Sequence, residues 1–163
     1  MELSHFDDMG NAHMVDVSEK EVTKRSAVAT GIIEMQRETL QVILDKKISK
    51  GDVLTVAQTA GISAVKRTWE LIPLCHIVMI RNVEITFDTC SGEESENKGI
   101  IKVTCTIRGE DKTGFEMEAL TGVSVTLLTI YDMCKAIDRG MEIKNIRLEY
   151  KDGGKSGRFT RGK

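Results

Sequence analysis

Asp132 and Lys135 stand three residues apart in the run TIYDMCKA, at a spacing that puts both on one face of a helix. A carboxylate beside a lysine keeps the ammonium charged and oriented, and partial burial would push the lysine the other way, toward proton transfer. The same spacing also describes an ordinary surface ion pair. His76 closes the run LIPLCH just past Pro73, in a connection of the kind where reactive groups collect. Read alone it is equally a surface histidine, since no partner is visible. Glu116-Met117-Glu118 opens the segment that carries Asp132. Acids there suit a helix N-terminus, and a carboxylate could also accept the N–H edge of a guanine-like ring. Lys50, Arg25 and Lys66-Arg67 are scattered bases that could converge on phosphates.

GGKSG at 153–157 has the look of a phosphate loop, but the glycine required five residues before Gly154 is Glu149 and no helix can follow. A P-loop nucleotidase is excluded. Exposed backbone N–H groups beside Lys151 and Lys155 still make an anion-binding tail conceivable, against the alternative of a solvated basic terminus.

These residues need elements to hold them. Residues 1–20 are polar and unpatterned, an irregular arm. Residues 21–33 read as a strand and 34–47 as a helix ended by Gly51. Asp52 is an N-cap for a second helix reaching about Leu71, with Val53, Val56, Ala57, Ala60, Ala64 and Thr68 inward. Pro73 stops it. Alternation marks strands at 79–90 and 99–108, joined by the charged hairpin loop SGEESENKG. Leu120, Val123, Leu127, Tyr131 and Cys134 form one stripe of a helix over 117–138, and Ile146, Leu148 and Tyr150 alternate as a last strand. The tail 151–163 holds five bases and one acid and reads as flexible. The order β-α-α-β-β-α-β, less one helix, is that of an α+β ferredoxin-like sandwich: an antiparallel sheet, helices on one face, one helix extra. The 163 residues make a single domain, 1–163.

Composition narrows the classes. Net charge is −2, so no global basic field recruits nucleic acid or membrane. There are seven aromatics, and the strand Ile101–Ile107 carries none, which disfavours an RNA-recognition module of the same element order. No run approaches a membrane span, and no apolar leader is visible in the first twenty residues. Cys75, Cys90, Cys105 and Cys134 lack any C-x-x-C pair and the three histidines are scattered, which suits reduced thiols in a cytoplasmic protein better than disulfides or zinc. A ferredoxin-like binding module without turnover remains the rival to an enzyme.

Taken together, HMVDVS (13–18), KGDV (50–53), AGI (60–62), AVKRTWELIPLCH (64–76), TGFEMEALTGVSVTLLTIYDMCKA (113–136) and GGKSG resemble the MoaC family of molybdenum-cofactor biosynthesis, over nearly the whole chain. The resemblance implies a lyase that converts 3′,8-cyclo-7,8-dihydro-GTP into cyclic pyranopterin monophosphate and diphosphate, without redox chemistry. It implies no resident cofactor, with magnesium as the one ion a triphosphate would bring. By matching motifs, Asp132, Lys135 and Lys50 are the expected catalytic residues, with Asp132 tuning Lys135. Leu74-Cys75-His76 and Met117-Glu118 are expected at the substrate, Glu116 as a further acid, and Asp16, Arg25, Lys151 and Lys155 as outer positions. A homohexamer built as a trimer of dimers is implied, with sites between protomers. One departure stands out: the family continues LCH with proline, and here the residue is Ile77.

Overall fold

Two long strands pair along their whole length at the centre of the molecule. β1 (Thr23–Gln36) and β3 (Lys98–Asp111) run antiparallel from Thr23 opposite Asp111 to Gln36 opposite Lys98. The computed structural model describes residues 9–48, 51–91 and 97–162. β2 (Ile80–Ser91) lies antiparallel on the far side of β3, and β4 (Glu142–Asp152) on the far side of β1. The sheet order is β2-β3-β1-β4-β5, the last being a two-residue strand, Phe159–Thr160. The expected α+β ferredoxin-like sheet is present, with all helices on one face. The hairpin loop between β2 and β3 lies largely outside the described residues.

Ile101, Val103, Cys105 and Ile107 on β3 and Ala27, Ala29 and Ile33 on β1 are fully buried beneath the helices, as their alternation requires. α4 (Glu116–Cys134) crosses the middle of the sheet and buries Val123, Leu127 and Ile130 on it. α2 (Val53–Val65) packs beside α4, and α1 (Arg37–Leu44) covers one end of the sheet. Gly61 lies where α2 meets α4: a Cβ there would strike the Thr126 hydroxyl and come within 2.6 Å of Ile85. Only glycine allows so close a crossing.

Several boundaries differ from expectation for physical reasons. Glu34, Met35 and Gln36 look helical in composition but extend β1, because Met35 is buried opposite Gly99 and pairing outweighs propensity. The helix expected over 52–71 is two pieces. Asp52 does cap it, accepting from the Thr55 N–H at 3.1 Å. The helix then breaks at Lys66-Arg67, and α3 (Thr68–Leu71) starts again with the buried Thr68 hydroxyl donating to the carbonyls of Ala64 and Val65. Val56, expected inward, is exposed. β4 begins four residues earlier than expected, and a register shift between Lys144 and Arg147, at Asn145 with φ 56°, lets Ile143 and Leu148 both pack on the core.

The tail does not hang free as expected. β5 pairs Phe159 with Lys151 and Thr160 with Tyr150, the Arg161 N–H donates to the Glu149 carbonyl, and Arg158 meets Asp152 at 3.0 Å. No helix among the described residues is long and apolar enough to cross a membrane.

Candidate functional site

The loop from α3 into β2, the N-terminus of α4 and the irregular arm meet at one corner. Between them lies a cavity of about 360 Å³, lined by Leu74, Cys75, His76, Glu116, Met117 and Glu118, with Val15, Val17, Lys20, Val78, Thr113 and Gly114 completing its wall. These residues come from three segments far apart in the chain, 15–20, 74–78 and 113–118, and the buried Phe115 anchors the start of α4 beneath them. The arm is part of the wall. The Val15 carbonyl lies 2.8 Å from His76 Nε2. A carbonyl only accepts, so Nε2 carries the proton in this contact. Asp16 is folded back on its own turn, accepting from the Ser18 N–H at 2.8 Å. Hydrogen bonds from Ser18, with Lys112 and His76 nearby, hold Asp16 below the usual carboxylate range.

Glu118 is the chemically distinctive group of this corner. Its side chain is only 3 % exposed, and burial pushes its pKa up to about 7, helped by the negative charges of Glu116 and Asp111. It therefore exchanges a proton near neutrality. Burial, with Glu118 close by, pushes the Cys75 thiol up, so Cys75 stands as a neutral wall rather than a nucleophile.

A second cavity, about 920 Å³, shares Lys20, Thr113, Gly114 and Glu116 with the first. Five bases line it (Lys20, Arg25, Lys112, Lys151 and Lys155), against Glu19, Glu21 and Glu116. Lys151 is held between Glu116 at 3.0 Å and the Ser156 hydroxyl at 2.8 Å. The Arg25 guanidinium donates to the carbonyls of Asp111 and Lys112, at 2.8 and 2.9 Å. Gly154 lies across that guanidinium with φ 74°, and a Cβ there would collide with it. GGKSG is therefore a fitted clasp that brings Lys155 to the cavity. Backbone N–H groups and bases around an open space of this size suit a polyphosphate. Among the described residues no group of three or more His, Cys, Asp or Glu side chains is placed to hold a metal ion.

A comparison with known protein families matches residues 14–154 to the MoaC family. The chain belongs to the MoaC family. Relatives named cyclic pyranopterin monophosphate synthase agree along its length. One from Desulfitobacterium hafniense is 55% identical over 161 residues, covering 99% of this chain and 95% of its own. Others from Brevibacillus brevis and Clostridium perfringens are 51% and 53% identical, each with 97% of its length covered.

Not every MoaC-family motif residue sits at this corner. Asp132 and Lys135 form a 2.6 Å ion pair at the other end of α4, with side chains 61 % and 54 % exposed. From Glu118 to Asp132 is fourteen residues, about 21 Å of helix. Neither residue lines the two cavities. The Asp132 hydrogen bond and charge push Lys135 up, not down as partial burial would have done. Lys50 lies outside the described residues. Lys66 and Arg67 line neither cavity. Lys20, Lys112 and Thr113 were missed by motif reasoning on the residues. Their signal was adjacency: they flank HMVDVS and open TGFEMEAL.

Proposed function

We propose that this chain is a lyase that converts 3′,8-cyclo-7,8-dihydro-GTP to cyclic pyranopterin monophosphate and diphosphate. What carries the reading is the joined pair of cavities, one with Glu118 and His76, the other lined by bases, in a chain about half identical to relatives bearing that enzyme's name. The guanine-derived ring fits the smaller cavity, between the aliphatic walls of Leu74 and Met117, with carboxylates for its N–H edge. The triphosphate fits the larger one, held by Arg25, Lys151 and Lys155. Magnesium, where it takes part, enters with those phosphates.

The reaction opens an aminal-containing ring, closes a pterin and expels diphosphate as a cyclic phosphate forms. Each stage moves protons. Glu118 near pKa 7 can give or take one at neutral pH, and His76, anchored through Nε2 to the arm, lines the same cavity. Lys135, cationic beside Asp132, would donate a proton or neutralise phosphate charge, and Lys50 is the second lysine assigned to this work by its motif. A cytoplasmic location is part of this proposal, supported by four cysteines without a C-x-x-C pair.

One protomer separates the two halves of this machinery along α4, so we assign them to one site across two copies. The exposed stripe of α4 runs from Met117 through Leu128 to Asp132 and Lys135. A two-fold contact along it would bring the Lys135 end of one copy to the Glu118 end of the other. A trimer of such dimers, a hexamer, is the assembly proposed. The function is tested by incubating purified protein with the cyclised nucleotide and measuring pterin product. Tight binding of the nucleotide with no product would replace the enzyme by a binding module.

A further inference from the structure

The turn after Lys135 is fixed by a residue that touches neither cavity. Asp138 is a carboxylate only 3 % exposed, and it accepts three hydrogen bonds. The Gln36 N–H donates to Oδ2 at 2.8 Å, the Thr39 hydroxyl donates to the same oxygen at 3.2 Å, and the Gly140 N–H donates to Oδ1 at 3.0 Å. Gln36 is the N-cap of α1 but makes no cap with its own side chain. Asp138 instead brings a carboxylate to this end, taking the N–H of the N-cap residue and the Thr39 hydroxyl, where negative charge favours the positive end of the helix.

Lys135 is the C-cap of α4, three residues before Asp138. Its side chain is more than half exposed and pairs with the Asp132 carboxylate, so packing does little to fix it. Its backbone is what the protein controls. The N–H of Lys135 donates to Tyr131, those of Ile137 and Asp138 both donate to Cys134, and the Asp138 carboxylate then ties the turn to the β1–α1 junction. The same tie holds the start of α1, whose other end leads within six residues to Lys50.

We infer that Asp138 is a positioning residue for the reaction: its buried carboxylate sets the Lys135 turn and the α1 start in one fixed relation. This rests on the assignment of Lys135 to the site. Asp138→Asn keeps the shape but replaces one acceptor oxygen with an N–H donor facing another donor. Thr39→Val removes one donor alone.

Both variants, with Lys135→Ala beside them, are purified as full chains and assayed on the cyclised nucleotide, with melting temperature and oligomeric state measured in parallel. For Asp138→Asn the expected result is a folded protein with kcat about tenfold lower and KM within about twofold. Thr39→Val is expected to lower kcat by about twofold to threefold with the same unchanged KM. Unchanged kcat in folded Asp138→Asn would overturn the inference, as would a loss of activity matched by the unfolded fraction. If Asp138→Asn does not fold, Thr39→Val decides, and unchanged kcat in it is the overturning result. Full activity in Lys135→Ala would instead remove the assignment on which the inference stands.

Discussion

The two ends of α4 carry similar groups in opposite surroundings. At its N-terminus Glu118 is buried under the His76 loop and the arm, and its pKa stands at about 7. At its C-terminus Asp132 and Lys135 lie open to solvent, and each charge stabilises the other. Burial without a cation makes a carboxylate exchangeable at neutral pH, whereas exposure beside a counter-ion locks both groups ionised. One end is built within a single protomer. The other lies open to solvent, and the second copy proposed above would cover it and strip its water.

Substitutions at the two ends should therefore fail differently. Lys135→Ala should lower turnover the most, by roughly 10²–10⁴-fold, the usual loss for a general acid or base, with melting temperature unchanged because an exposed pair adds little stability. Asp132→Asn should shift the alkaline limb of the rate profile to lower pH, since Asp132 is what raises Lys135. An unmoved limb would separate the two residues.

Glu118→Gln should lower turnover by about 10-fold to 100-fold and also change stability, which Lys135→Ala should not. The sign follows from protons bound. Between the ordinary glutamate value of 4.5 and about 7 the folded protein holds a proton that the unfolded chain has lost. Glu118 therefore weakens the fold progressively as pH rises through that window, by up to about 3 kcal/mol, and adds no further slope above it. Denaturant melts of wild type and Glu118→Gln from pH 4 to 8 should converge at the acid end and part at the neutral end. Parallel curves would contradict the buried carboxylate.

Lys155→Ala, on the clasp, should raise KM by several-fold and leave kcat nearly unchanged, since it holds phosphate away from the reacting ring. The smallest catalytic effect should come from Gly61→Ala. It forces α2 off α4 midway between the ends, for about 1–3 kcal/mol of stability, with activity in the folded fraction largely kept.

The strands β2 and β3 were legible because each buries one face, and a period of two then shows in the residues themselves. The Asp52 cap was legible because capping is local. The break at Lys66-Arg67 was not, because it depends on where the Thr68 hydroxyl finds carbonyls, and the β1 extension depends on Gly99 across the sheet. The same divide runs through the site. LIPLCH and EMEAL were recognisable as motifs, and the structure brings His76 and Glu118 together. The split of Asp132 and Lys135 from them is a consequence of helix length, which spacing within a motif does not reveal. Lys20 and Lys112 escaped notice because isolated lysines carry no pattern; only the folding of the arm across His76 gives them a common wall.

The central claim is that the two ends of α4 act on one substrate across two copies, and mixed oligomers test it directly. His76→Ala and Lys135→Ala chains with different tags are co-expressed, hybrid oligomers are isolated through both tags, and pterin formation is measured. Each parent alone is inactive on this account. A shared site predicts that random pairing restores up to about a quarter of wild-type activity, because half of the dimers are hybrids and each hybrid regains one intact site. Hybrids no more active than either parent would contradict the claim and confine the site to a single chain.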